Sequence, residues 1–377
     1  MIRKCVLILI STLSLVGCLE KEPIEQLGII NARGIDIIED DLIKATLVIY
    51  QFSSQTNQIT RIRNGIGKTL KGATEDAEHE SAFRLTPGKI KLEMFGKETA
   101  EQGILPYLDT IIRDARMADM MYLALSETTA NDILTINDTP LSMDIGRYLY
   151  NLIKNDTNDH NIPRKTVRDF LRIYYDIGQD NVLPIFIIQN GMPKQKAIAV
   201  LRDDQYVGDI SNEQAIYINL VNRKVKRQLF ELSLPIEPFN NHLENRETHI
   251  NRDIIHTTYR IENSKSKTKV IDADRLLFET DVNVTMRLLE QTAGLIVDSK
   301  HVMEILEREA EKKMTRELEQ LLTQLQELNA DPFGYGKYFR VKQKGGKLTR
   351  EKWREKFPNI KVNFKVNVDI IRHGVVE

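Results

Sequence analysis

Between positions 299 and 329 the chain places Val302, Ile305, Leu306, Ala310, Met314, Leu318, Leu321, Leu322, Leu325 and Leu328 at steps of three and four. That stripe describes one long amphipathic helix whose apolar face has to be covered. A strict heptad would call for a partner helix, but these steps drift, so a sheet of the same chain is the expected cover. Strands are predicted on both sides of the helix. Upstream they fall at 225–235, 247–262 and 276–289; downstream Val362, Phe364, Val366, Val368 and Ile370 alternate with polar residues, as in a strand with one buried face. Asp331-Pro332 and Gly334 stop the helix. The last third therefore reads as α+β, a β-sheet covered by a long amphipathic helix.

The earlier part mixes short strands and helices in an α/β-like unit. A hairpin is expected over 35–50, turning at Glu39-Asp40-Asp41, then a polar surface loop over 51–67 and a helix over 68–84. A strand is predicted at 89–95 and a helix at 97–116, broken near Leu105 because Pro106 follows. A strand at 120–125, helices at 142–154 and 165–177, and the apolar strand 184–188 complete the unit. Arg202-Asp203-Asp204-Gln205 marks a second hairpin, and Ser211 caps a helix to Asn222. The length of 377 residues accommodates this division. It gives an N-terminal α/β domain (18–188), a small middle domain or linker (189–222) and a C-terminal α+β domain (223–377).

Composition narrows the function. With 53 Lys+Arg against 54 Asp+Glu, the formal charge is -1, which leaves no positive excess to neutralise a phosphate backbone, so no nucleic-acid partner is expected. The two cysteines, Cys5 and Cys18, both lie near the start. A structural zinc site, a disulfide framework or a papain-like nucleophile would need cysteine in the folded body. Arg3 and Lys4, the apolar run 6–16 and then Leu15-Val16-Gly17-Cys18 read as a signal peptide (1–17) ending in a lipobox. Cys18 is then the lipid attachment site, an N-palmitoyl and S-diacylglycerol cysteine. Two or more acyl chains hold a protein to a membrane far more firmly than one.

Other motifs carry less chemistry. Gly65-Ile66-Gly67-Lys68-Thr69 ends like a P-loop, but Ile62 stands where the first glycine must turn the chain and no strand is predicted before it, so a helix-leading loop is expected. His242, His249 and His256 recur at sevens, a spacing that puts successive side chains on opposite faces of a strand. Ser264-Lys265-Ser266-Lys267 satisfies SxxK without its downstream elements and is expected at a solvated hairpin tip. HExxH and GxSxG are absent. No metal, cofactor or catalytic residues are assigned.

The lipobox Cys18, Ile24-Glu25-Gln26-Leu27, Gly34-Ile35-Asp36 and the run 88–117 with Gly103, Asp109, Arg113 and Asp114 form one set of landmarks. Asp331 to Arg340 (DPFGYGKYFR), Trp353, Phe357 and Arg372-His373-Gly374 form another. Together they resemble the Ger(x)C spore germination lipoproteins, the C subunits of nutrient germinant receptors. The chain departs from the family at Leu19-Glu20, where Trp-Asp is usual, and at Pro23. The resemblance implies a three-domain α+β body without enzyme activity, lipid-anchored on the extracytoplasmic side of the spore inner membrane. It also implies integral-membrane A and B subunits as partners. An extracytoplasmic solute-binding lipoprotein delivering a small ligand to a transporter is the alternative, and it predicts two similar lobes around a cleft.

Overall fold

The computed structural model describes residues 27–51, 60–114, 117–136, 143–243, 253–297, 299–343 and 347–371. Cys18, the leader, residues 24–26, His249 and Arg372-His373-Gly374 lie outside the described residues. The fold is α+β and contains two sheets.

The first sheet has nine strands: β1 (Leu27–Ile37), β2 (Ile43–Gln51), β3 (Thr60–Gly67), β4 (Arg84–Thr86), β5 (Leu92–Phe95), β6 (Tyr122–Ser126), β7 (Val182–Gln189), β8 (Met192–Arg202) and β9 (Gln205–Ile210). Their order is β3-β2-β1-β5-β6-β7-β8-β9, with β4 beside β1. β1, β5, β6 and β7 run parallel, while β2, β3, β8 and β9 close the two flanks antiparallel. The parallel strands are joined by helices: α1 (Leu70–His79), α2 (Lys97–Gln102), α3 (Leu105–Arg113), α4 (Ala130–Leu134), α5 (Ile145–Asn158) and α6 (Val167–Tyr175).

Three local outcomes differ from the sequence expectation or refine it. Residues 60–67, expected in a loop, form β3 along the whole edge of β2, because backbone pairing to an open edge outweighs a polar composition. The Gly65–Thr69 motif therefore begins inside a strand, and its glycines serve packing. A Cβ at Gly65 would lie 2.1 Å from the Ala73 carbonyl oxygen and one at Gly67 2.5 Å from the Ala73 nitrogen, so both let α1 fold back against β3. The break expected near Leu105 falls at Gly103, whose φ of +116 ends α2 before Pro106 starts α3.

The second sheet has the order β10 (Gln228–Pro235), β11 (Ile254–Asp272), β12 (Leu277–Gln291) and β13 (Lys361–Ile371). Ser264–Lys267 lie inside β11 rather than at a hairpin tip, since β11 and β12 stay paired as far as Asp272. The buried Ser264 hydroxyl accepts from the Val225 N–H. The long helix α8 (Lys300–Glu327) covers this sheet and packs along β13. Its buried side is the predicted stripe, with Leu328 partly buried beyond the helix end. Each fully buried leucine there contributes roughly 2 kcal/mol. α8 also protects the free edge of β13, because Glu311 and Glu307 accept from the Val368 and Ile370 N–H groups at 3.0 and 2.9 Å.

Residues 189–222 supply β8, β9 and α7 (Asn212–Asn222). Ser211 and Gln214 form a capping box at its start. Ala215 to Val221 are buried in succession, because α7 lies between β8 of one sheet and β11 and β12 of the other. Among the described residues, the apolar core on one face of the first sheet is closed by helices of that sheet's own segments. The other face belongs to a core that continues through α7 into the second sheet.

Candidate functional site at the joint between the sheets

A densely bonded polar region lies where the ends of β7, β8 and β9 meet the chain following α8. Local sequence brings it there. Past the cap at Leu328, Asn329 adopts φ +47 while its N–H donates to Gln326 and that of Ala330 to Leu325. This double return is a Schellman turn, and asparagine tolerates the left-handed conformation it needs. The turn delivers Asp331 beside Asp180, just before β7. Asp331 N–H donates to Asp180 Oδ2 at 2.6 Å, and Asp180 N–H donates to the Asp331 carbonyl at 2.9 Å.

Each of these carboxylates then organises a separate group of donors. Asp331, fully buried, accepts from the N–H groups of Gly334 (2.7 Å) and Gly336 (3.0 Å) and from Trp353 Nε1 (3.1 Å). Burial pushes its carboxyl up to about 7 against the pull of those donors, and the nearby Asp180 charge adds to the rise. Asp180 is gripped by both terminal nitrogens of Arg354, one at 2.6 Å, and also accepts from the Asp203 N–H at 3.1 Å. Arg354 reaches Asp203 Oδ1 at 3.0 Å as well. Burial disfavours the Arg354 cation, but Asp180 and Asp203 outweigh that and raise its pKa. Arg350 adds a bond to Asp203 at 2.9 Å, stacks its guanidinium 4.0 Å from the centre of the Tyr174 ring and donates to the Tyr174 carbonyl. Both arginines belong to the segment of α10 (Arg350–Lys356).

Two glycines allow the close approach. A Cβ at Gly336, in α9 (Tyr335–Lys342), would lie 2.5 Å from Gly178 Cα and 2.7 Å from Trp353 Cε2. Gly178 has φ +105 and accepts the Lys337 N–H. On the far side of the same corner, Asp204 accepts the Leu105 N–H at 3.0 Å, so the β8–β9 turn also holds the α2–α3 break.

Several landmark residues converge here: Gly103, the 331–340 block and Trp353, with the Phe357 ring tilted against Trp353. Gly34-Ile35-Asp36 lie elsewhere and seat α4. Asp36 accepts from Ala130 and Asn131 N–H groups at 2.7 and 2.9 Å, and burial raises its pKa. Asp109 accepts from the Tyr175 hydroxyl, while Arg113 and Asp114 line an outer cleft. Sequence reading missed the joint carboxylates Asp180 and Asp203 and the arginines Arg350 and Arg354, for nothing local distinguishes them from surface charge. The two described histidines of that series do not converge: His256 bonds Ser233 and the His242 ring meets His301 edge-on. Among the described residues, no group of three His, Cys, Asp or Glu is placed to hold a metal, and no helix is long and apolar enough to cross a membrane.

Residues 20–188 match the family described as Spore germination protein N-terminal domain, and residues 196–374 match Spore germination B3/GerAC like, C-terminal. The chain belongs to the Ger(x)C family of spore germination proteins. This Ger(x)C protein is 20% identical over 378 residues, covering 100% of both chains, to spore germination protein GerQC of Bacillus cereus. It is also similar to the protein in the crystal structure of GerBC, with 17% identity, a TM-score of 0.48, and coverage of 90% of this chain and 96% of that one. The joint ties the two family-matched parts of this Ger(x)C chain into one body, because Asp180 lies in the first and Asp331 and Arg354 in the second.

Proposed function

We propose that the protein is the C subunit of a spore nutrient germinant receptor, a non-enzymatic lipoprotein held at the extracytoplasmic side of the spore inner membrane. In this reading Cys18 carries diacylglycerol on sulfur and palmitate on nitrogen, and the body assembles with integral-membrane A and B subunits. The observation that carries the proposal is the family match across nearly the whole chain behind a lipobox. The joint supports it physically. Its charges are spent on one another, an arrangement suited to passing force between two parts of a body rather than to attacking a substrate. The division into 18–188, 189–222 and 223–377 belongs to the same proposal, with the middle segment as the piece between the two sheets.

Disrupting the gene should abolish nutrient-triggered germination and lower the abundance of the A and B partners; unchanged germination and partner levels would sink the reading. For the anchor, palmitate labelling should mark wild type and spare Cys18→Ala, and equal labelling refutes it.

One observation favours the solute-binding alternative: a cleft of about 850 Å³ between α5, α7 and β10, where Gln195 Oε1 and Gln228 Oε1 are buried without a donor. Against it, the two sheets differ in strand number and order. Calorimetry of the full chain with amino acids and sugars separates the two, since tight direct binding would support delivery of a solute.

A further inference from the structure

On the other side of the joint, a cavity of about 310 Å³ lies between the start of α6, the end of α7 and α9. Arg164, Lys165, Arg172, Arg223 and Lys337 line it, against two carboxylates, Asp169 and Asp180. Both carboxylates are already engaged. Asp180 is held by Arg354, and Asp169 accepts from Thr166 Oγ1 at 2.9 Å with Arg164 at 3.6 Å. Of the cations, Arg164 pairs with Asp169, while Lys165, Arg223 and Lys337 keep unused donors. Lys165 is 9% exposed; its carbonyl accepts the Leu123 N–H, while its ammonium has no hydrogen-bond or ion-pair partner among the described residues. Arg223 spends one terminal nitrogen on the Ile162 carbonyl while its Nε is buried and unbonded. Lys337 has the neutral Gln179 amide oxygen at 2.6 Å.

Folding thus gathers five cations around a partly enclosed space whose two carboxylates are already engaged, which is costly unless an anion offsets the excess. We propose that this cavity binds a small oxyanion, a phosphate or a pair of carboxylates, with Lys165 as its central ligand. The volume is at the small end of ligand pockets, which run from about 300 Å³ upward, so it suits a metabolite-sized molecule. Such an anion converts the mutual repulsion into charge-assisted hydrogen bonds. Lys165 and Arg172 come from the first sheet's segments, Arg223 and Lys337 from the chain on the far side, so the bound anion braces the joint. The electrostatics agree: burial, with Arg172, Arg223 and Lys337 opposing the help of Asp169, brings the Lys165 amine down to about 7.

The test is calorimetry on the full chain purified in detergent, with inorganic phosphate and succinate as probes in low-chloride buffer. Saturable one-site binding is expected. Lys165→Met should weaken it about tenfold or more, the worth of one charge-assisted hydrogen bond. Arg172→Gln, at an exposed position, should weaken it by a smaller factor and guards against a folding failure of the first variant. At pH 8 succinate is fully ionised and Lys165 largely neutral, so binding should take up close to one proton in wild type and none in Lys165→Met. Absence of saturable binding by both probes, or equal affinity in the Lys165 variant, would each overturn the proposal. Both arms use purified protein and leave the germination experiment independent.

Discussion

Replacing Arg354 by methionine keeps the aliphatic stem and removes the guanidinium from the centre of the joint. Lost are the paired bonds to Asp180, including the 2.6 Å contact, and the 3.0 Å bonds to Asp203 and to the Asn329 carbonyl. The Asp180 side chain is only 3% exposed and that of Arg354 17%, so solvent screens little. Stranding a buried charge costs about 3–5 kcal/mol; two backbone donors remain on Asp180, which places the loss near the lower figure. Asp180→Asn should cost less, roughly 2 kcal/mol, because Arg354 keeps Asp203. The double variant should then recover a coupling of about 2 kcal/mol relative to the sum. Against a typical total of 5–15 kcal/mol, that is a large share. Urea unfolding measures it, and Trp353, the single tryptophan of the chain, reports directly because its Nε1 donates to Asp331. An Arg354→Met midpoint equal to wild type, or a coupling below about 0.5 kcal/mol, refutes the account of the joint as an ion-paired lock.

Gly336→Ala should destabilise by roughly 2–3 kcal/mol through overpacking against Gly178 and Trp353, read as a lowered thermal midpoint; a wild-type midpoint contradicts the close approach. The folded Lys165 amine titrates at about 7 against 10.5 for the ordinary side chain, so between these values the unfolded chain holds a proton that the folded chain has released. Stability should therefore rise with pH across that window, by up to about 1.4 kcal/mol per unit from this group. Lys165→Met should remove that contribution and be the more stable protein at pH 7; urea titrations at pH 7, 8 and 9 check both. Removing the two edge caps together, Glu307→Ala with Glu311→Ala, should cost about 1 kcal/mol each and promote concentration-dependent association through β13, followed by size-exclusion chromatography.

Much of the second sheet and its covering helix was readable because the signals are local. The steps of α8 and the alternation of β13 repeat over many residues, and Ser211 with Gln214 announces α7 within four positions. β3 was misread because its partner, not its composition, makes it a strand. α4 was missed because five residues give no periodicity; Thr129 and Asp132 form a capping box at its start, and Asp36, 94 positions away, accepts its first N–H.

Sequence alone determined most of the long elements, their amphipathic faces and the family landmarks, since each is written within a few neighbouring residues. Tertiary structure alone decided which charges matter. Asp180 and Arg354 stand 174 positions apart, and Lys165 meets Arg223 and Lys337 only after α7 and α9 pack. In the sequence these are ordinary charged residues. Burial makes one set a lock and gathers the other around a cavity, because the energy of a charge depends on its solvent and partners, and the fold chooses both.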